Sequence, residues 1–346
     1  MTRPTVGVIG GGTWGLALAA AAARSGGTTL LLSRRHGAGS LPEGVTPARD
    51  LAQIGAEARL VLLAVPSEVA RDVARQLGPH VDGRHFVVHG VRGLVPRLDA
   101  GPGDPPGGNL ETVSDIVRDE TPARRVGALG GPALAPDLLA GRPTVMVCGS
   151  RYPEVTRAMR DVFRSPALRM DSTADLLGLE WASALVGCLA IGVGYARGLG
   201  MGAGLLAAVI TRAVEEAARL AAAAGGEERT VLGLAGYGDL LASIAQADRP
   251  EVLVGEALAR GEPIARALAG AGQRVEAVAL TGRVAAWARE RGVHAPVLGA
   301  LAASIASPAA SAPNGGLAAT AAGPGRDLMR ELMREPPTSI ATAERT

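Results

Sequence analysis

Short apolar runs alternate with segments of helical period through the first half of the chain. Residues 6–9, 29–32, 60–65, 86–88, 126–129 and 144–148 are short, apolar and rich in Val, Leu and Ile, and each predicts a buried strand. Between them, residues 16–23, 69–77 and 150–163 carry the 3.6-residue pattern of helices. This alternation predicts a parallel sheet covered by helices on both faces, an α/β Rossmann-like doubly wound domain. From about Gly178 the strand signals stop, and helices are expected over 179–197, 205–224, 232–247, 263–269, 275–291 and 296–305. The expected organisation is a dinucleotide-binding domain over 1–177 and an all-α domain over 178–346, joined through a helix. Residues 101–108 read as a low-complexity loop, about 306–324 as a mobile Pro/Ser/Ala/Gly-rich segment, and 326–334 as a short charged helix.

Two apolar stretches raise the question of a membrane. Residues 182–211 carry Arg197 as their one charge and are long enough to cross a bilayer. Seven glycines interrupt them and their flanks are amphipathic, so the expectation is buried helices with no membrane span. The apolar run near the start is short and ends in glycines, unlike a secretory signal, so a cytoplasmic protein is expected.

Composition narrows the chemistry. With 346 residues, 47% hydrophobic, 20% charged and a net charge of +2, the chain has a globular composition and no basic surplus of the kind nucleic-acid binding uses. Aromatics at 2% exclude base-stacking platforms, and two cysteines point to a reducing compartment. There is no lysine, so all 35 basic residues are arginine. Schiff-base chemistry, ammonium acids and a P-loop lysine are thereby excluded.

Gly10-Gly11-Gly12-Thr13-Trp14-Gly15 fits G-x-G-x-x-G directly after the first strand and at the start of a helix. Gly10 would permit the tight turn, Gly12 the approach of a pyrophosphate, and Gly15 close packing of helix on strand, with the helix N-terminus aimed at the phosphates. At the end of the second strand the chain reads Ser33-Arg34-Arg35-His36, where a carboxylate would bind the ribose hydroxyl of NAD. Arg34 and Arg35 favour the 2′-phosphate of NADP instead. The five histidines show no metal-ligand spacing, and no metal is expected. His89, near the carboxyl end of a strand, is a candidate proton carrier.

These motifs, with Val65-Pro66-Ser67, Gly131-Pro132-Ala133-Leu134-Ala135, Gly178-Leu179-Glu180, Thr211-Arg212 and the block 233–240, resemble the bacterial-type NAD(P)-dependent glycerol-3-phosphate dehydrogenases over nearly the whole chain. The resemblance implies a Rossmann domain followed by a helical substrate and dimerisation domain. It implies reversible hydride transfer between dihydroxyacetone phosphate and sn-glycerol 3-phosphate, and a homodimer. It adds Pro66, Ala135 and Glu276 to the cofactor contacts, and assigns Arg92, Gly131, Ala133, Asp239, Ser243 and Arg249 to the substrate side. The family's two lysines fall here on Arg92 and Val186, an asparagine falls on Gly204, and its Ser-Arg-Asn falls on Arg249-Pro250-Glu251. Asp239 is retained.

A guanidinium is a poor proton donor at neutral pH and valine is none, so the family reaction is expected to be slow or absent. Three expectations follow. The first is an oxidoreductase acting on a small carbonyl or alcohol, phosphorylated or not, with Arg92 and Asp239 at its centre. The second is a non-catalytic NADP-binding regulatory or interaction protein. The third is reduction of a β-hydroxyacid-related compound or an imine, with Asp239 or His89 relaying the proton.

Overall fold

The structure, a computed structural model, describes residues 5–34, 41–97, 110–246 and 248–306. The segments 101–108 and 307–324, the helix expected over 326–334 and Arg35 lie outside them. The chain runs β1 (Val6–Ile9), α1 (Thr13–Arg24), β2 (Thr29–Leu32), β3 (Val45–Pro47), α2 (Leu51–Glu57), β4 (Leu60–Leu63), α3 (Ser67–Leu77) and β5 (Phe86–His89). A two-stranded ribbon, β6 (Val95–Pro96) and β7 (Leu110–Glu111), precedes α4 (Val113–Glu120), β8 (Arg125–Gly130), α5 (Ala135–Ala140), β9 (Thr144–Gly149), α6 (Pro153–Val162) and β10 (Leu168–Thr173). Helices follow: α7 (Leu176–Gly198), α8 (Ala203–Ala223), α9 (Glu228–Leu232), a π-helical turn (Leu234–Gly238), α10 (Asp239–Ala245), α11 (Pro250–Ala259), α12 (Ile264–Gly270), α13 (Ala277–Glu290) and α14 (Pro296–Ala306).

The eight-stranded sheet has the order β10-β9-β8-β5-β4-β1-β2-β3, with apolar layers on both faces. Its strands pair in parallel except β8 with β9, which are antiparallel, a departure from the wholly parallel sheet that alternation predicts. β3 and β10 lie at its edges. Neither carries a strand signal in the sequence, because β3 is short and contains Pro47, and β10 alternates Arg169 and Asp171 with apolar residues. The N-terminal domain is therefore a parallel-dominated doubly wound α/β unit, and an all-α domain follows it.

Helix α7 runs unbroken through its glycines and is the axis of the helical domain. By length and composition it could cross a membrane, but 94% of its most apolar window is buried inside the protein. The glycines permit close approach instead of breaking the helix. A Cβ on Gly194 would stand 2.1 Å from the Val252 carbonyl oxygen, and one on Gly255 would stand 2.1 Å from that of Ile191. α7 and α11 thus touch backbone to backbone.

The helix expected over 232–247 is divided in the structure. A Cβ on Gly236 would lie 2.2 Å from the Val231 carbonyl oxygen, and the chain widens there into the π turn before α10 begins. That turn places Asp239 at the first position of α10, wholly buried.

Candidate active site

β1 pairs with both β2 and β4, so successive connections leave it in opposite directions and open a crevice at the carboxyl ends of β1 and β4. A cleft of about 470 Å³ lies there, closed on the far side by α7, the first turn of α11 and the segment before α13. The glycine turn forms its floor. Gly10 has φ +119°, and a Cβ on it would lie 2.2 Å from the Ala64 carbonyl oxygen. A Cβ on Gly15 would lie 1.8 Å from the Gly10 carbonyl oxygen, so α1 can sit this close to the turn only without a side chain there.

Gly12 differs from both. Nothing stands within 4 Å of where its Cβ would be, and as N-cap of α1 it offers no side-chain acceptor to the first-turn N–H groups. Open space over uncapped N–H groups at a positive helix end fits a pyrophosphate. Thr13 and Trp14 line the same floor, with the Trp14 indole against Gly90, while Pro66, Ala133 and Ala135 form the adjoining walls. Gly131, at φ +93°, turns the chain from β8 toward that wall. Arg34 is exposed just beyond β2 and is not part of the cleft lining.

Glu276 closes the cleft from the helical domain. Its carboxylate accepts the Ser67 backbone N–H at 3.2 Å and also the Ser67 hydroxyl, and Arg274 beside it pairs with Glu68. Ser67, Glu68, Arg274 and Glu276 therefore bridge the two domains across the cleft. The bridge links positions 209 residues apart, which no local sequence pattern could have shown.

The structure brings together Arg92, Asp239, Ser243 and Arg249, four of the residues expected on the substrate side. Arg92 lines the cleft and donates from Nη2 to Asp239 Oδ1 at 3.1 Å, with Oδ2 of the same ion pair 2.9 Å away. Asp239 lies behind Arg92, away from the cleft surface, and accepts the Ser243 hydroxyl at 3.4 Å. It makes no helix cap. Burial raises its carboxyl above the ordinary value, opposed by Arg92 and Arg249. Arg249 is drawn below the ordinary arginine value by burial and by Arg92, and is itself paired with Glu251, Nε to Oε2 at 2.6 Å. Val186 points into the core and is 1% exposed.

His89 is not brought into the cleft. It is 1% exposed, and its Nε2 lies 2.8 Å from the Glu180 carboxylate, which also accepts the Ser114 N–H at 2.9 Å. The Val91 N–H points at His89 Nδ1, so that nitrogen is the acceptor and Nε2 the donor in a buried tie between β5, α4 and α7. Cys148 and Cys188 are buried, with thiols pushed up to about 12, outside the nucleophile range.

The dinucleotide cradle, the switch-point cleft and the helical closing domain define a Rossmann-type NAD(P)-dependent oxidoreductase. Comparison with known proteins makes this specific. Residues 36–156 match the family model for the NAD-dependent glycerol-3-phosphate dehydrogenase N-terminus, and residues 175–309 match that for its C-terminus. Glycerol-3-phosphate dehydrogenase [NAD(P)+] of Thioalkalivibrio sulfidiphilus is 31% identical over 314 residues, covering 86% of this chain and 91% of the relative. The Caulobacter vibrioides enzyme of the same name is 32% identical over 322 residues, covering 88% and 94%. The chain belongs to the NAD-dependent glycerol-3-phosphate dehydrogenase family. Its fold is also that of the crystal structure of glycerol-3-phosphate dehydrogenase from Coxiella burnetii, with TM-score 0.81 and 24% identity over 96% of this chain and 99% of that one.

Proposed function

We propose that the protein is an NADP-preferring oxidoreductase that interconverts a small carbonyl compound and its alcohol, with Arg92 as the cation facing the reacting oxygen. The carrying observation is the Arg92–Asp239 pair, which fixes a guanidinium at the cleft wall beside the cofactor cradle. Bound nicotinamide would supply or accept the hydride. Arg92 then stabilises negative charge developing on the carbonyl oxygen, and Asp239 is the positioning residue that holds Arg92 in place. A guanidinium is a poor proton donor at neutral pH, so the proton that completes the alcohol comes from water entering the cleft.

The relatives' named activity on glycerol 3-phosphate is expected to survive here only weakly. Positioned general acids contribute about 10²- to 10⁴-fold in rate, and neither Arg92 nor Val186 replaces one. Arg34 supports the preference for a 2′-phosphate, because it stands exposed just beyond β2, where a carboxylate would favour NAD. The reading also takes the protein as a cytoplasmic homodimer.

The test is titration with NADPH and NADH, followed by tryptophan fluorescence. Trp14 lines the cleft, whereas Trp181 and Trp287 pack on each other at 4.6 Å in the helical domain. A panel of carbonyl compounds is then added and oxidation of NADPH followed. Tight NADPH binding with turnover of a small carbonyl supports the reading. NADPH binding without turnover of any carbonyl or alcohol would replace it with the non-catalytic alternative.

A further inference from the structure

We propose that Glu251 is a specificity-determining residue that turns the cleft away from dianionic phosphate and toward small uncharged hydroxycarbonyl compounds; this rests on the oxidoreductase reading above. The charges lining the cleft carry the argument. Three guanidinium groups, Arg92, Arg249 and Arg274, face three carboxylates, Asp248, Glu251 and Glu276, and Asp239 adds a fourth negative charge just behind the wall. Each guanidinium already has a carboxylate partner: Arg92 with Asp239, Arg249 with Glu251, and Arg274 with Glu68 and Glu276. Counting Asp239, four negative charges stand against three positive ones, so a dianion entering this space finds no surplus positive charge.

Glu251 is the carboxylate it would meet. Arg249 and Glu251 flank Pro250 at the start of α11 and hold each other through two contacts, Nε to Oε2 at 2.6 Å and Nη2 to Oε1 at 3.2 Å. Both side chains are 17% exposed, so the pair is poorly screened by solvent. The carboxylate stands over the cleft face of α7, with Oε1 3.8 Å from where a Cβ on Gly187 would be. Ala184, Gly187 and Ala277 supply an uncharged wall around it. A neutral hydroxyketone can exchange hydrogen bonds with these paired groups and leave every ion pair intact.

Two measurements test this. The first uses the unaltered protein with NADPH bound: inorganic phosphate binding by calorimetry, and kcat/KM for dihydroxyacetone against dihydroxyacetone phosphate. Weak phosphate binding and preference for the unphosphorylated ketone are expected. Preference for the phosphorylated ketone overturns the proposal and leaves the oxidoreductase reading standing. The second compares Glu251→Gln with Glu251→Asp. Removing the charge should tighten inorganic phosphate binding by about tenfold or more, and keeping it in Asp should not. Equal phosphate affinity in the unaltered protein and E251Q also overturns the proposal. Phosphate binding is read without turnover, so a protein inactive on every carbonyl loses the oxidoreductase reading while the phosphate contrast still decides whether Glu251 excludes the dianion. Should E251Q not fold, the first measurement decides alone.

Discussion

Gly12→Ala and Gly15→Ala separate the two tasks of the glycine turn, and the structure predicts opposite outcomes for them. A methyl group on Gly15 would be placed 1.8 Å from the Gly10 carbonyl oxygen, where real contacts are never under 3.0 Å. α1 and the turn must separate by more than about 1 Å, a core overpacking that costs about 1–3 kcal/mol. For domains of this size that lowers Tm by roughly 2–12 °C without any ligand present. A methyl on Gly12 meets nothing within 4 Å, so stability should change by no more than the small N-cap preference for Gly over Ala. The same methyl fills the space over the first-turn N–H groups. Losing one hydrogen bond to a charged phosphate costs about 2 kcal/mol, so the Kd for NADPH should rise roughly 30-fold or more. Thermal melts of the free proteins and Trp14 fluorescence titrations read the two effects separately. G12A binding NADPH as tightly as the unaltered protein would refute the placement of the pyrophosphate over Gly12.

Three further outcomes are expected. Arg34→Ala should raise the Kd for NADPH about tenfold and leave that for NADH unchanged, as parallel titrations will show. Asp239→Asn leaves the Arg92 guanidinium without its buried anion; it should lower stability by roughly 3 kcal/mol in urea denaturation and reduce kcat for carbonyl reduction more than it alters NADPH binding. Glu216 lies buried on α8 and accepts the backbone N–H groups of Val297 and Leu298 at the start of α14, and burial raises its carboxyl from 4.5 to about 7. The folded state therefore binds the proton more tightly than the unfolded chain. Its contribution is complete below about pH 4.5 and lost as pH rises through about 7, a change of roughly 3 kcal/mol. Denaturation midpoints at pH 5 and 8 should differ less in Glu216→Gln than in the unaltered protein.

The sequence disclosed those parts of the fold whose cause is local. β1, β2, β4, β5, β8 and β9 are buried apolar runs, and the glycine turn reveals itself because a tight turn and a close approach need glycine at fixed offsets. α11 gives no helical signal because its run Pro-Glu-Val-Leu-Val-Gly-Glu-Ala-Leu-Ala has no clean polar face and buries residues on more than one side. The antiparallel pairing of β8 with β9 leaves no trace in composition, since both strands are apolar whichever way they run. In the site, Arg92 and Asp239 could be singled out only by resemblance to a family. Their contact spans 147 residues and depends on a π turn that the helical period of 232–247 conceals. The same concealment hid the fact that Asp239 stands behind Arg92. The tie of His89 to Glu180 spans 91 residues, and sequence position alone made that histidine look available.

The glycine seam between α7 and α11 has a consequence for engineering. Main chain rests on main chain at Gly194 and Gly255, so no side chain there can readjust and α11 cannot slide along its neighbour. Its first turn is a fixed mount. Positions 249 and 251 lie outside this seam, so exchanging their side chains is expected to leave the register of the helix unchanged, which separates the part of the protein that carries the load from the part that chooses a ligand. A small library at these two positions, built on an unchanged frame, is the shortest route to redirecting the cleft.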